Sequence, residues 1–158
     1  MPIIELDEFT AFLNAQENKK GALLGIDNGS KNIGLAVSDL TRTIASPIYA
    51  VKKKKLAETA GEIFKAFDEK ECVAIIMGHP LNMDGSKGPS AQAARAFARN
   101  LLTVRDVPLL MWDERLSTSV VQRQMIEADM TRAKRAEQVD SASASYVLQG
   151  VLDRIYGL

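Results

Sequence analysis

ALLGIDNGSKNIGLAVSD, residues 22–39, decides the fold. Its first six residues, ALLGID, are a compact apolar run that ends on an acid. NGSK at 28–31 opens with Asn-Gly, the strongest short hairpin signal, because both residues accept the positive φ of a tight reversal. IGLAVSD at 33–39 then alternates, with Ile33, Leu35 and Val37 on one side. A polar corner, Asp39-Leu40-Thr41-Arg42, leads to TIASPI at 43–48, whose Pro47 suits an edge strand. The three runs predict an antiparallel three-stranded meander.

Downstream the period changes. KKKKLAETAGEIFKAFDEK places Leu56, Ala60, Ile63, Phe64 and Phe67 at helical spacing. CVAIIMG at 72–78 reads as a buried strand, and HPLNMDGSKG at 79–88 as a loop rich in turn formers. Pro89 fits the first turn of a helix bearing Ala93, Ala94, Phe97, Leu101 and Leu102. VPLLMW at 107–112 is another strand. Ser117 can cap a helix running to about Ala128, with Val120, Val121, Gln124 and Met125. The polar, basic stretch Asp129–Glu137 precedes a last helix with one apolar stripe, Ala144, Val147, Leu148, Val151, Leu152 and Ile155. Residues 1–20 form an amphipathic lead-in carrying Ile4, Phe9, Phe12 and Leu13, broken by Asn18-Lys19-Lys20-Gly21. The expected order is βββαβαβαα: an α/β fold whose mixed sheet joins the meander to parallel strands, with helices on both faces.

Composition bounds the rest. A length of 158 residues predicts one domain, over 21–158, large enough to bury a core without staples. Cys72 stands alone, so no internal disulfide and no cysteine zinc site can form. The start MPIIELDEF is acidic and carries no signal-peptide pattern, and the longest apolar runs are far short of the roughly 20 residues a membrane span needs. A soluble, reducing, cytoplasmic setting is expected. Twenty basic residues balance twenty acidic ones, which argues against a general polyanion binder. The balance is uneven, however: residues 84–135 carry +3 and the remainder −3, which permits a local basic face as well as a plain mixed-charge surface. The run Lys52–Lys55 reads as a solvated helix start, with phosphate contact as the alternative.

Acids at strand ends carry the chemistry. Asp27 ends the first strand just before the tight turn, where it either supports Asn28-Gly29 or serves a site. Asp113 and Glu114 end the last strand, as a polar exit paired with Arg115 or as ligands. Stepping back by four from Leu152 through Leu148 and Ala144 lands on Asp140. A carboxylate on that sheet-facing stripe is expensive unless something neutralises it; the helix dipole of a first turn would help, and so would a metal. Strand-end acids meeting an inward helix acid make a hard-oxygen site for Mg²⁺ or Mn²⁺, suited to phosphodiester hydrolysis. His79 and Cys72 flank one strand at opposite ends, roughly 20 Å apart at 3.3 Å per residue, so they do not form a nucleophile–base pair. Cys72 is expected in the core and His79 as a loop donor.

Four blocks, GIDNGSKNIGLAVSD at 25–39, GHPLNMDGSKGPSAQAARAFA at 78–98, WDERLSTSVV at 112–121 and VDSASASYVLQGVLD at 139–153, resemble in order and spacing the signature blocks of the YqgF (RuvX) family of Holliday-junction-resolvase-like proteins, also described as pre-16S rRNA nucleases. The resemblance runs from about Ala22 to Leu158. It implies an RNase H-like fold, in agreement with the meander-plus-helices order. It also implies Asp27, Glu114 and Asp140 as catalytic acids and metal ligands; adjacent strand residues point oppositely, so Asp113 and Glu114 are alternatives for the strand-end ligand, and Glu114 is preferred. Lys31 and Arg115 match basic positions able to contact phosphate. The 82–88 loop, with Asn82, Asp84 and Lys87, matches a loop expected at the mouth of the site. Two positions depart from the family pattern: Asn32 stands where Arg is frequent, and His79 where a small or apolar residue usually precedes the Pro.

The function these readings imply is a Mg²⁺- or Mn²⁺-dependent nuclease that trims the 5′ end of the 16S rRNA precursor, acting on structured RNA as monomer or homodimer, with no membrane partner. The alternatives are a resolvase of branched DNA and a non-catalytic nucleic-acid-binding scaffold. GIDNGSKNIG also looks like the first phosphate loop of actin-like ATPases and sugar kinases. Those require two such domains around ATP, and 158 residues supply one.

Overall fold

The computed structural model describes residues 3–15, 21–29, 31–82, 84–113 and 132–156, with residues 132–140 described by their backbone alone. In chain order these form β1 (Ile3–Ile4), α1 (Leu6–Ala15), β2 (Ala22–Asn28), β3 (Asn32–Ser38), β4 (Ala45–Lys52), α2 (Leu56–Glu69), β5 (Cys72–His79), α3 (Pro89–Val104), β6 (Leu109–Asp113) and α4 (Arg132–Tyr156). The six strands make one sheet in the order β1-β6-β5-β2-β3-β4.

The meander forms as its alternation predicts. β2 and β3 pair antiparallel up to Asn28 opposite Ile33, and β3 pairs antiparallel with β4. Asp39 closes the polar corner. The Thr41 hydroxyl and the amides of Ile44 and Thr43 all donate to its carboxylate, which pulls its pKa down to about 2. β4 starts later than the 43–48 expected, because Thr43 and Ile44 are bonded to Asp39 in the corner. Within the strand the register slips between Leu35 and Ala36, where Pro47 faces Ala36, Tyr49 faces Leu35, and Ile48 is the extra residue. Beyond the meander, β5 pairs parallel with β2, β6 with β5, and β1 with β6. This is a mixed α/β sheet, the antiparallel meander joined to parallel strands, with helices on both faces.

Each face has its own core. Leu24, Ile26, Ile75 and Met77 point toward α2 and α3, where they pack with Ile63, Phe67 and Leu101. Leu23, Ile76, Leu110 and Trp112 point the other way, onto α4 through Leu148 and Leu152 and onto α1 through Phe9 and Leu13. β5 is covered on both sides, which is why it reads as a continuous apolar run. α4 already includes Arg132, so most of the basic stretch expected ahead of the last helix lies within it. The helix expected over Ser117–Ala128 falls outside the described residues. Among the described residues no helix is long and apolar enough to cross a membrane.

Candidate active site

β2, β5 and β6 run parallel, so their carboxyl ends share one edge of the sheet, with Asp27-Asn28, His79 and Asp113 along it. The pleat sorts these residues between the two faces. Asp27 continues the Leu23–Gly25 side, toward α4, and is half-buried. Asn28 continues the Leu24–Ile26 side. His79 follows Ile75 and Met77, Asp113 follows Leu109 and Met111, and His79 is the register partner of Asp113; all lie on the α2/α3 face. Of the two acids that end the last strand, Asp113 is therefore on the face opposite Asp27. Glu114 and Arg115 lie outside the described residues.

A glycine inside β2 brings α4 close. A Cβ on Gly25 would stand 3.0 Å from the Ala144 carbonyl oxygen and 3.0 Å from Leu148 Cβ, so the helix backbone rests against the strand where a side chain would otherwise sit. A glycine interrupting an apolar strand is the sequence signal for such an approach. The helix runs antiparallel to β2. Near the start of the strand, the buried Arg42 donates from Nε to the Gly21 carbonyl and from Nη1 to the Tyr156 hydroxyl. Further along, Gln149 Oε1 accepts from the Ala45 amide, in the row of Ser38 and Leu23, and Ala144 then meets Gly25. One helical turn back from Ala144 is Asp140, and two strand residues on from Gly25 is Asp27. These steps are about 6 Å along the helix and about 6.6 Å along the strand. The backbone of Asp140 thus comes to the Asp27 end of the sheet. Eight residues of α4 precede it, so it does not occupy the first turn, where a helix dipole would favour it.

Among the described residues no three His, Cys, Asp or Glu side chains gather as a metal-binding group. Of the three acids named from sequence, Asp27 alone has a described side chain. Its position fits a hard divalent ion in kind: an oxygen donor at a strand end, half-buried, against a helix held close by Gly25.

The other named residues distribute around this edge. Lys31 is exposed in the β2–β3 turn. The 82–88 loop is folded on itself: the Asn82 amide donates to the Ser86 carbonyl, and Asp84 Oδ1 accepts from both the amide and the hydroxyl of Ser86. Gly85, at φ 88°, supplies the left-handed step. Asn82 also packs where a Cβ on Gly88 would be. Lys87 lies by the start of α3, near Arg95 and Arg99. His79 ends β5 as a buried residue rather than a loop donor, and among the described residues its Nε2 finds no hydrogen-bond partner, nor does Asn28 Oδ1. Burial, with the charges of Arg95 and Lys87, lowers its pKa, while Asp113 pulls the other way. Cys72 is buried at the far end of the strand, its thiol pushed up to about 12 by desolvation.

Residues 21–154 match the family model described as RuvX: Holliday junction resolvase. A protein of Rhodospirillum rubrum named "Putative pre-16S rRNA nuclease" is 48% identical over 156 residues, a match spanning 98% of this chain and 94% of that protein. One of the same name from Caulobacter vibrioides is 44% identical over 160 residues, spanning 100% of each. Among solved structures, Thermus thermophilus RuvC in complex with Holliday junction substrate aligns with a TM-score of 0.49 at 14% identity, over 87% of this chain and 94% of that one.

Proposed function

The chain belongs to the RuvX family, and on that premise we propose that it is a divalent-metal-dependent nuclease that processes the 5′ end of the 16S rRNA precursor in the cytoplasm. The observation that carries this reading is the close seat of α4 on β2 at Gly25, which brings the Asp140 backbone to the strand end where Asp27 faces the helix. The parity of β6 supports Glu114 as the third acid, because Asp113 belongs to the opposite face. Asp27, Glu114 and Asp140 would hold one or two Mg²⁺ or Mn²⁺ ions. When bound, such ions supply Lewis-acid activation for attack on a phosphodiester.

The chain's own residues do the rest. Asp27 at a strand end and Asp140 on a helix would anchor the site to two rigid elements, organised before substrate arrives. Lys31, Lys87 and Arg115 offer positive charge to substrate phosphates, and the self-bonded Asn82–Asp84 loop shapes the mouth. Neutral net charge keeps unspecific attachment weak, so attraction is local to this edge.

One specific observation favours a second reading: the matching family model is described as a Holliday junction resolvase. Trimming an rRNA end needs one active site, whereas resolving a four-way junction needs two paired cuts. The test compares Mg²⁺- or Mn²⁺-dependent cleavage of precursor 16S rRNA and of four-way DNA junctions by wild type, Asp27→Asn and Asp140→Asn. Cleavage of the RNA is expected to fall at least about 100-fold in either variant, the order of loss when one pre-organised electrostatic group is removed. Equal activity in all three proteins would overturn the metal-nuclease reading. Symmetric junction cuts with intact RNA would move the assignment to the resolvase.

A further inference from the structure

We propose that the rim around β4 binds a single-stranded flank of the nucleic-acid substrate, with its phosphates on Lys31, Lys52, Lys53 and Lys55 and a base stacked on Tyr49. The identity of the ligand rests on the nuclease reading above; the surface itself is argued from the fold. Four consecutive lysines in a chain are an ordinary solvated helix start. The fold adds a fifth, because the Lys53 amide donates to the Lys31 carbonyl at 2.9 Å and Asn32 is the register partner of Lys52. The β2–β3 turn and the β4–α2 junction thereby present one cationic patch. Among the described residues, only Lys54 of the five is matched by an acid, with Nζ 3.6 Å from Glu62. Among the described residues no carboxylate lies within ion-pair distance of Lys31, Lys52, Lys53 or Lys55. Glu58, in the first turn of α2, is the other acid of this region. Like charges held this close repel unless a polyanion neutralises them.

Position ties the patch to the candidate active site. Asp27 faces Gly34 across β2–β3, and Gly34 faces Ala50 across β3–β4. Two strand spacings, about 10 Å, therefore separate the row of Asp27 from the free edge of the sheet. Tyr49 and Val51 flank Ala50 on that edge strand and turn to the α2 face, opposite Asp27, so a nucleic-acid strand that reaches Tyr49 passes over the free edge of the sheet. Tyr49 is 46% exposed and lines one shallow groove with Lys52, Glu62 and Lys65. An exposed aromatic ring set among cations is the platform on which single strands stack, and stacking needs a base face that a duplex does not offer.

The test measures binding of a short fluorescein-labelled oligouridylate in EDTA on the Asp27→Asn background, so that no cleavage intervenes. The salt dependence is followed from about 50 to 200 mM. Lys53→Gln/Lys55→Gln is expected to lower the slope of log K against log salt by about 1.4, at about 0.7 for each single-strand phosphate left without its lysine. Lys70→Gln/Arg154→Gln, which removes the same charge at the other end of the sheet, is expected to leave the slope at the wild-type value. Tyr49→Ala is expected to weaken binding about tenfold and Tyr49→Phe to restore it. A wild-type slope in the Lys53/Lys55 variant, or an equal change in the Lys70/Arg154 control, would overturn the proposal; unchanged affinity in Tyr49→Ala would remove the stacking interaction from it. Because no metal is present, these outcomes are distinct from failure of the nuclease reading, which would show as absent cleavage with this binding intact.

Discussion

At His79, burial makes the charge state a matter of solvation, and among the described residues Nε2 has no partner. The groups acting on the ring are Arg95 and Lys87, which oppose its protonation, and Asp113, its neighbour on β6, which favours it; burial dominates, and the folded pKa is lowered. In the unfolded chain the ring titrates near 6.5. Above that value neither state binds the proton and the native state keeps its full stability. As pH falls below it, the unfolded chain takes up the proton first, and stability drops until the lowered folded pKa is reached. The urea midpoint of wild type is therefore expected to decline more between pH 7.5 and 5.5 than that of His79→Gln. Equal declines in the two proteins would show that the ring is already free to protonate in the fold. The burial was not readable from HPLNMDGSKG, since a histidine before proline at a strand end looks like loop; the pairing of β5 with β6, which sets Asp113 beside it, is not a local pattern.

Between elements, the decisive contact is β2 against α4, and it turns on Gly25. Gly25→Ala puts a methyl group 3.0 Å from a backbone oxygen, which cannot swing aside as a side-chain end would. The helix must lift, at a cost of about 1–3 kcal/mol, the range for overpacking a core. Gly61→Ala is the contrast: nothing lies within 4 Å of the new Cβ on α2, and the better helix former is expected to add about 0.5–1 kcal/mol. Denaturation midpoints should move in opposite directions, with cleavage reduced in the Gly25 variant alone. A Gly25→Ala protein as stable and active as wild type would show that the helix seat does not set the site. The chain discloses those elements whose periods are local. Alternation in IGLAVSD discloses the meander, although Asn28 itself ends β2 opposite Ile33 without the positive φ of an Asn-Gly turn. The four-residue steps from Leu152 to Asp140 disclose which end of α4 nears Asp27. β1 is two residues long and has no period to read. The first turns of α4 are polar and so carry no stripe. The separation of Asp113 from Asp27 depends on strand register across β5 and β6, which no local pattern contains.

For the whole molecule, one sheet must cover two apolar faces. α2 and α3 cover one, while α4 lies over β2, β3 and β4 on the other. The β6 side of that second face is closed by α1, which turns Phe9 and Leu13 into the cluster holding Leu110 and Trp112, while β1 pairs with the outer edge of β6. The amphipathic start of the chain is thus part of the core. Phe9 is fully buried, so Phe9→Ala is expected to cost about 3–5 kcal/mol. Trp112, the one tryptophan, sits in the same cluster and reports locally, while circular dichroism reports all helices together. If α1 folds as one unit with the sheet, both probes shift to lower urea by the same amount and the transition remains single. If α1 were an appendage, tryptophan fluorescence would change ahead of the main loss of helix, and the global midpoint would stay where wild type has it.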